Sequence, residues 1–401
     1  MQRSDVLILG GGLVGATLAL ALDKHGLSSV VVDPADPERT LAADFDGRAS
    51  AIASASWRML EAIGLADDIR PFAQPIDRIE VRDGLQRGKL DFAPGDGDPL
   101  GYMVENRLLR RVLREQLLAA PHVTLRQPMR ADQVERASSG VYARLSNCEE
   151  LRADLLVVAE GRNSPTREAA GIRIARWQYD HAAIISAFEH TLPHNGVAHE
   201  IFYPSGPFAL LPMTGGHRSA LVWTVRKQDA EGVLKLSERA FAVEAHKRTG
   251  GLLGELSAIA PRASWPLGFH HAATITATRL VLVGDAAHGI HPIAGQGLNL
   301  GFRDVAALTE VLVEGTRLGL DLGDEQLLKR HQRWRSLDTL LVAGATDSLT
   351  RLFGVRGRTA SAVRRLGLGV VERVGPLKSF FMAEARGEVG DLPRLLQGLT
   401  V

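Results

Sequence analysis

Residues 5–33 read DVLILGGGLVGATLALALDKHGLSSVVVD, and this stretch predicts a strand, a glycine turn, a helix and a second strand. The first strand is expected at Val6–Leu9 and the helix at Leu13–His25. The second strand, Val30–Val32, ends in Asp33. A short apolar strand followed by a helix and another apolar strand is typical of the start of a parallel α/β sheet.

The glycines of the turn have the spacing Gly10-x-Gly12-x-x-Gly15. After a strand and before a helix, this spacing indicates dinucleotide binding: Gly10 permits the turn, Gly12 lets a pyrophosphate approach, and Gly15 allows close helix packing. Asp33 is expected to bind a ribose hydroxyl. Because its carboxylate would repel a 2′-phosphate, the pattern favours FAD or NAD over NADP.

Two later apolar strands end in a similar way. Leu155–Ala159 is followed by Glu160, and Leu280–Val283 is followed by Gly284 and Asp285. Parallel strands of one sheet present their carboxyl ends to a shared ligand, so these segments are predicted to be parallel strands of the same sheet as the first strand. Asp285 is then placed to accept a hydrogen bond from a sugar-like hydroxyl.

Residues 284–302 read GDAAHGIHPIAGQGLNLGF and contain five glycines, two histidines and a proline. The turn Gly295-Gln296-Gly297 leads into a predicted helix, Leu298–Leu312. The amides and positive dipole end of this helix would face a ligand.

Composition narrows the class of protein. The chain has 401 residues, a formal net charge of +1, and one cysteine, Cys148, so it cannot form an internal disulfide. No Cys/His cluster has zinc spacing, and the charge gives no general reason to expect nucleic acid. Arg3 and the apolar run Val6–Leu22 could be read as a signal peptide, but four glycines interrupt the run. A cytoplasmic location is expected.

The segments 5–33 and 284–304 together resemble the class A flavoprotein monooxygenases of the p-hydroxybenzoate hydroxylase fold, and more narrowly the ubiquinone-biosynthesis hydroxylases. Further segments that carry the resemblance are Asp46-x-Arg48, LGYMVENRLL at 100–109, GPFALLPM at 206–213, Arg335, Asp338, Asp347-x-Leu349 and Leu352-Phe353. The resemblance covers about residues 5–353.

The resemblance implies FAD as cofactor and NAD(P)H as co-substrate. The implied cofactor-binding residues are Gly10, Gly12, Gly15 and Asp33 for the ADP half, Arg48 and Asn106 for the phosphates or ribityl chain, Asp285 for the ribityl or pyrophosphate region, and Pro292, Gly295, Gly297, Leu298 and Asn299 for the isoalloxazine. Two positions depart from the family: Glu160 stands where the family has Asp, and Asn106 where the wider superfamily more often has Arg.

His291 and Pro292 are the candidate catalytic residues. The neutral imidazole of His291, near the flavin, could accept a phenol proton. His288 has two interpretations: the same chemical role, or a hydrogen bond to the backbone of its own turn. The apolar wall of the substrate site is assigned to Phe208, Leu210, Leu211 and Pro212.

Residues 181–225 alternate in the manner of antiparallel strands, with turns at 204–207 and 215–216. The predicted fold is therefore α/β: a Rossmann-like FAD-binding domain (1–75, 100–180 and 270–330), an interleaved substrate-binding β-sheet domain (76–99 and 181–269), and a C-terminal helical region (331–401).

The expected function is hydroxylation of a polyprenylated phenol or quinol in ubiquinone biosynthesis. A flavin-dependent dehydrogenase or isoprenoid reductase on the same fold, and a non-catalytic flavin-binding scaffold subunit, remain open alternatives. Residues 351–378 carry seven basic residues and one acid. They are expected to dock on an anionic membrane surface or an acidic partner, which would make the protein peripheral to the inner face of the membrane.

Overall fold

The computed structural model describes residues 2–41, 44–85, 89–94, 98–289, 296–336, 379 and 382–401. The strands in these ranges are β1 Gln2–Leu9, β2 Ser29–Val32, β3 Ala49–Ala53, β4 Ala73–Ile76, β5 Arg78–Asp83, β6 Leu90–Phe92, β7 Gly101–Glu105, β8 Val123–Arg126, β9 Ala131–Ala137, β10 Gly140–Leu145, β11 Glu150–Val158, β12 Ile174–His190, β13 Val197–Tyr203, β14 Gly206–Met213, β15 Arg218–Arg226, β16 Leu256–Ala258, β17 Ala263–Ala272, β18 Thr276–Ala277, β19 Leu280–Leu282 and β20 His288–Gly289.

The helices connect and cover these strands. They are α1 Leu13–Lys24, α2 Pro37–Leu41, α3 Ser54–Ala62, α4 Ala66–Ile69, α5 Asn106–Ala119, α6 Pro165–Ala169, α7 Ala230–Leu234, α8 Glu238–Thr249 and α9 Gln296–Arg317. Residues 325–336 are also helical. Four 3-10 turns occupy Arg70–Phe72, Lys227–Asp229, Gly284–Ala286 and Arg394–Gln397.

The first sheet has the order β18-β19-β11-β1-β2-β8. β1 runs parallel to β2 and β11, and β11 runs parallel to β19, which confirms the predicted parallel arrangement. Two strands begin earlier than the apolar runs indicate, at Gln2 and Glu150. In β11, the first residues pair with the antiparallel strand β10, so the strand extends back to Glu150 before its apolar part enters the core.

Helices α1 and α9 pack together on one face of this sheet. Leu18 and Leu22 of α1 and Phe302 and Leu308 of α9 are fully buried in the same apolar cluster as Val6 of β1. The contact fixes the N-terminal ends of both helices beside the carboxyl ends of the parallel strands, which is where a ligand binds in sheets of this kind.

The second sheet has nine strands in the order β20-β17-β12-β15-β14-β13-β5-β6, with β16 paired to β12. It is antiparallel as expected except at one junction, where β13 runs parallel to β5. Residues 78–92 thus join residues 174–289 in one sheet. A small third sheet has the strand order β3-β7-β4. Its strands lie between β2 and β8 in the sequence.

The 17-residue strand β12 connects the two cores. Ile174, near its start, packs against the apolar cluster on the first sheet. Phe188, near its end, is fully buried in the cluster under α8. One continuous strand of the second sheet therefore extends from the apolar cluster on the first sheet to the cluster under α8.

In the described part of the chain, no helix is long and apolar enough to cross a membrane. The 3-10 turn Arg394–Gln397 packs back on α3 and α9, and Leu395 and Leu396 are fully buried there. The basic segment 351–378 lies outside the described residues.

Candidate functional site

The turn between β1 and α1 uses its three glycines for different reasons. Gly10 has a φ of +101°, and a Cβ there would lie 2.4 Å from the carbonyl oxygen of Ala159. A Cβ on Gly15 would lie 1.9 Å from the carbonyl oxygen of Gly10, so the packing of α1 requires glycine. A Cβ on Gly12 would meet nothing within 4 Å. Gly12 thus borders open space at the N-terminus of α1, where a phosphate can approach the backbone amides.

Asp33 lies at the end of β2 beside this turn. Its Oδ2 accepts a hydrogen bond from the amide of Gly11 at 2.6 Å, and its Oδ1 accepts one from the amide of Ala35 at 2.7 Å. A carboxylate has about four acceptor positions, so two remain for a ligand hydroxyl. The backbone thus orients Asp33 without using up its capacity to bind a ribose.

A pocket opens in front of the glycine turn, between Gly12 and Asp33 on one side and Arg110 of α5 on the other. The Nε atom of Arg110 is buried and has no hydrogen-bond partner. Burial, and then repulsion by Arg48, lower the pKa of Arg110. A desolvated cation with an unused donor is unfavourable unless an anion joins it. These residues fit the diphosphate of FAD.

Arg110 was not among the residues predicted from the sequence. The phosphates or ribityl chain were assigned to Arg48 and Asn106, and the Oδ1 of Asn106 accepts a hydrogen bond from the hydroxyl of Ser50 at 2.7 Å. The backbone amide of Asn106 also donates to the carbonyl oxygen of Arg48 at 3.0 Å. Arg110 follows Asn106 by four residues and so lies on the same helix face. That spacing is the signal that could have revealed it.

Arg48 forms an ion pair with Asp46. Its Nη2 and Nε atoms lie 2.5 Å and 2.7 Å from Oδ2 of Asp46. Partial burial acts to raise the pKa of Asp46, but hydrogen bonds and the positive charge of Arg48 outweigh it and lower the pKa. Both side chains are partly exposed, so a phosphate binding to Arg48 would share it with Asp46.

Asp285 occupies the 3-10 turn that follows β19. No hydrogen bond or ion pair within the described residues engages its carboxylate, which is exposed to solvent. Surrounding protein nevertheless raises the pKa of Asp285, and the nearby charge of Arg162 only partly offsets this effect. Asp285 is therefore available to a ligand.

His270, which the sequence analysis did not identify, fixes the turn that carries Asp285. Its Nε2 donates to the carbonyl oxygen of Asp285 at 2.7 Å. Burial lowers the pKa of His270 to about 4, so the ring is neutral near pH 7 and acts as a simple donor. The residue is fifteen positions from Asp285, and no local pattern indicates the contact.

At the start of α9, one residue borders open space and another is hydrogen-bonded to β3. A Cβ on Gly297 would meet nothing within 4 Å, and Leu298 beside it is partly exposed. The side chain of Asn299 bridges to β3: its Oδ1 accepts from the amide of Ala53 at 2.9 Å and its Nδ2 donates to the carbonyl of Ala51 at 2.8 Å. Asn299 thus positions the helix end. The remaining predicted residues of this stretch, His291, Pro292 and Gly295, lie outside the described residues.

Asp304 on α9 gathers three donors in the protein interior. Its Oδ2 accepts from the amide of Gly284 at 2.8 Å and from Nε2 of His288 at 2.7 Å, and its Oδ1 accepts from Nε of Arg335 at 2.6 Å. Complete burial acts to raise the pKa of Asp304, but His288 and Arg335 hold it well below the usual range. Nε2 of His288 thus binds a carboxylate of α9, a contact that neither interpretation of His288 from the sequence included.

Glu160 is occupied by the loop that follows β11. Its carboxylate accepts hydrogen bonds from the hydroxyl of Ser164 at 2.6 Å and from the amide and hydroxyl of Thr166 at 3.1 Å and 3.0 Å. These contacts cap the short helix α6. The longer side chain that replaces the family's Asp thus stabilises a turn.

An apolar cavity, open on one side, lies between β3, the start of α9 and the second sheet. Alanine, isoleucine and leucine residues make up most of its wall. Asn299 borders it from α9, and Glu200 and Leu211 border it from β13 and β14. The cavity therefore begins at the same helix end that the resemblance assigns to the isoalloxazine.

The four residues assigned to the substrate wall divide between the two faces of β14. Leu211 lines the cavity. Phe208 and Leu210 are buried on the opposite face, in the cluster that includes Phe241 of α8. Pro212 is an even number of residues from Phe208 and Leu210 along β14, so its side chain lies on the same face of the strand as theirs. Side chains alternate along a strand, so a continuous apolar segment such as 208–212 cannot line one cavity with every residue.

Comparisons with known proteins agree with this geometry. The model of the FAD binding domain family matches residues 3–336. A relative from Rhodospirillum rubrum, "Ubiquinone hydroxylase UbiL", is 48% identical over 400 residues, covering 99% of this chain and 93% of the relative.

The chain belongs to the ubiquinone-biosynthesis hydroxylase family of FAD-dependent monooxygenases. A second relative in this family, "3-demethoxyubiquinol 3-hydroxylase" of Escherichia coli, is 34% identical and covers 96% of this chain and 99% of its own. The crystal structure of p-nitrophenol 4-monooxygenase PnpA from Pseudomonas putida has the same fold, with a TM-score of 0.80 at 20% identity, covering 97% of this chain and 99% of its own. The cofactor is FAD, and NAD(P)H is the co-substrate typical of the family.

Proposed function

We propose that this FAD-dependent monooxygenase hydroxylates the aromatic ring of a polyprenylated phenol or quinol in ubiquinone biosynthesis. The observation that carries the proposal is the apolar cavity that extends from Asn299 of α9 to the second sheet. A ring placed there lies against the helix end assigned to the flavin, and the aliphatic wall suits an apolar substituent.

FAD, once reduced by NAD(P)H, supplies the activated oxygen in this family. The residues of the chain have other tasks. Gly12, Asp33 and Arg110 would hold the ADP half, and Asn299 would keep the start of α9 against β3. The aliphatic wall would exclude water from the ring while oxygen is transferred, which protects reactive species from side reactions.

The names of the relatives support the substrate class. The Rhodospirillum rubrum protein is called a ubiquinone hydroxylase, and the Escherichia coli protein is called a demethoxyubiquinol hydroxylase. Both names describe ring hydroxylation of an isoprenoid quinone or quinol. Extension to this chain is supported by the near-complete coverage of both relatives and by the apolar lining of the cavity.

The test is oxygen incorporation from labelled dioxygen into a short-chain prenylated phenol, with the purified FAD-loaded protein and NAD(P)H. We expect one labelled oxygen atom per product and faster NAD(P)H oxidation when the phenol is present. Label that comes from water, or an oxidised product without added oxygen, would instead identify a dehydrogenase or reductase. A protein that binds FAD but is indifferent to phenols would be a scaffold subunit.

The basic segment 351–378 is proposed to bring the enzyme to an anionic membrane surface on the cytoplasmic side, where an apolar substrate resides. The support is its local charge of seven basic residues and one acid in a chain of net charge +1. Each basic residue near such a surface contributes about 1 kcal/mol. Co-sedimentation with anionic and neutral liposomes tests this. The variant Arg356/Arg358/Arg364/Arg365→Glu should lose binding to the anionic liposomes, and equal sedimentation of variant and wild type would contradict the proposal.

A further inference from the structure

Glu200 is a carboxylic acid on an otherwise apolar surface. On β13 it pairs with Ala209 of β14 and with Val81 of β5, so its neighbours on the same face of the sheet are aliphatic. Its side chain borders the cavity together with Leu211 and Asn299. Within the described residues, no hydrogen bond or ion pair engages its carboxylate.

An unpaired acid in such a place is unfavourable for folding. The side chain of Glu200 is half-buried, so its carboxylate loses part of its hydration on folding without gaining a hydrogen bond in exchange. Burial raises the pKa of Glu200 to about 7, and no neighbouring charge contributes to this change. Glu200 therefore exchanges a proton near neutral pH, as a general base must.

The other ionisable side chain at the cavity wall is His199, the preceding residue. It points to the opposite face of β13, where its Nδ1 lies 3.5 Å from Oε1 of Glu80. Arg82 and Lys89 also pair with Glu80 on that side. Burial lowers the pKa of His199, so its ring is neutral near pH 7. Among the described residues at the wall, Glu200 is thus the acid or base that faces the cavity.

We propose that the Glu200 carboxylate accepts the proton of the substrate's phenolic hydroxyl during ring hydroxylation. The phenolic O–H bond breaks, an O–H bond forms on Glu200, and the electron pair left on the phenol oxygen raises the electron density of the ring carbons ortho and para to it. Those carbons then react more readily with an electrophilic oxygen atom. The proton returns to the product oxygen or leaves through the open side of the cavity. This inference rests on the proposed function.

The first experiment measures binding and does not require turnover. The dissociation constants of 2-geranylphenol and its methyl ether are measured with FAD-loaded wild type and Glu200→Gln at pH 8. We expect wild type to prefer the phenol by about tenfold or more, because a hydrogen bond to a carboxylate is stronger than one between neutral groups. The preference should shrink at pH 6, where Glu200 is protonated, and should be small in Glu200→Gln at both pH values.

The second experiment measures hydroxylation of 2-geranylphenol against pH. Wild-type kcat should rise with pH through a transition near 7, because the base form of Glu200 increases. Glu200→Gln should be slower by about 10²–10⁴-fold and should lack that transition, which is the usual range for loss of a general base. Glu200→Asp, which keeps the carboxylate, should recover part of the rate and the pH transition.

The control is Glu189→Gln, which changes the same chemical group at an exposed position of the same sheet. It should match wild type in both experiments. An unchanged phenol preference and pH profile in Glu200→Gln would overturn the assignment of Glu200 even if wild type hydroxylates the phenol. If wild type binds the phenol selectively through Glu200 but incorporates no oxygen, the proposed function fails while the contact itself is supported.

Discussion

The Nε2 atom of His288 lies 2.7 Å from Oδ2 of Asp304, and this pair joins the turn after β19 to the interior of α9. The same carboxylate binds the amide of Gly284 and the guanidinium of Arg335. The turn at 284–288, helix α9 and the helix at 325–336 thus meet at one buried side chain. The carboxylate of Asp304 therefore fixes the turn that carries Asp285 relative to the helix that carries Asn299.

Asp304→Asn should reduce the free energy of unfolding of the apoprotein by about 3–5 kcal/mol, because it leaves the buried guanidinium of Arg335 without its counter-charge. Since the folded pKa of Asp304 is lowered, its contribution is present above the ordinary value of 3.8 and is lost as the pH falls towards the folded pKa. Urea unfolding of both proteins from pH 7 to pH 3 should show the difference shrinking below about pH 4. The exposed pair Glu325–Lys329 supplies a control: Glu325→Gln should change stability by less than about 1 kcal/mol.

Gly12→Ala and Gly15→Ala should separate binding from folding. The added methyl of Gly12→Ala has free space in the apoprotein, so its stability should stay within about 1 kcal/mol of wild type while the FAD dissociation constant rises. The methyl of Gly15→Ala would collide with the carbonyl of Gly10, so the apoprotein itself should be destabilised. Thermal unfolding and FAD fluorescence titration measure the two effects. Equal behaviour of the two variants would argue against a phosphate at Gly12.

Arg110→Gln should weaken FAD binding by about ten- to a hundredfold, because it removes a charge-assisted hydrogen bond to the diphosphate. Arg111→Gln is a matched control, since Arg111 is the next residue of α5 and is exposed, with its guanidinium near the ring of Phe72. It should bind FAD as wild type does. Equal losses in both variants would point to general electrostatics and not to a specific contact of Arg110.

Asp285→Asn should weaken FAD binding by about 1–3 kcal/mol while making the apoprotein slightly more stable at pH 7. The second effect follows from the raised pKa of Asp285: the ionised form is disfavoured in the fold, and the cost appears as the pH rises above the ordinary value of 3.8. The gain should be small, because the side chain is exposed to solvent, and should vanish near pH 4. Isothermal titration with FAD measures the expected loss of affinity, and unfolding of the apoprotein at pH 7 and pH 4 measures the expected gain in stability. A variant that lost both affinity and stability would place Asp285 in a structural role.

The sequence predicted those features that a local pattern encodes. The roles of Gly10 and Gly15 in the turn and the start of α9 follow from spacing within about thirty residues, and the parallel strands follow from the glycine or acidic residue at the end of each apolar run. Arg110, His270 and Glu200 could not be identified in this way, because their importance lies in burial and in contacts between segments distant in the chain. Phe208 and Leu210 show a third case. Their apolar character was clear, but the face each occupies depends on the pairing of β14 with its neighbours.

The strand β12 has a mechanical consequence. Its seventeen residues extend over roughly 55 Å at the usual rise per residue, and it pairs with β17 on both sides of an irregularity between Gln178 and Ala182. The two apolar clusters at the ends of β12 are thus connected by a paired, two-stranded segment with one irregularity in the pairing of β12 with β17, and not by a flexible linker. A bend at that irregularity would change the angle between the first sheet and the second sheet, which carries Glu200 and Leu211 at the cavity wall.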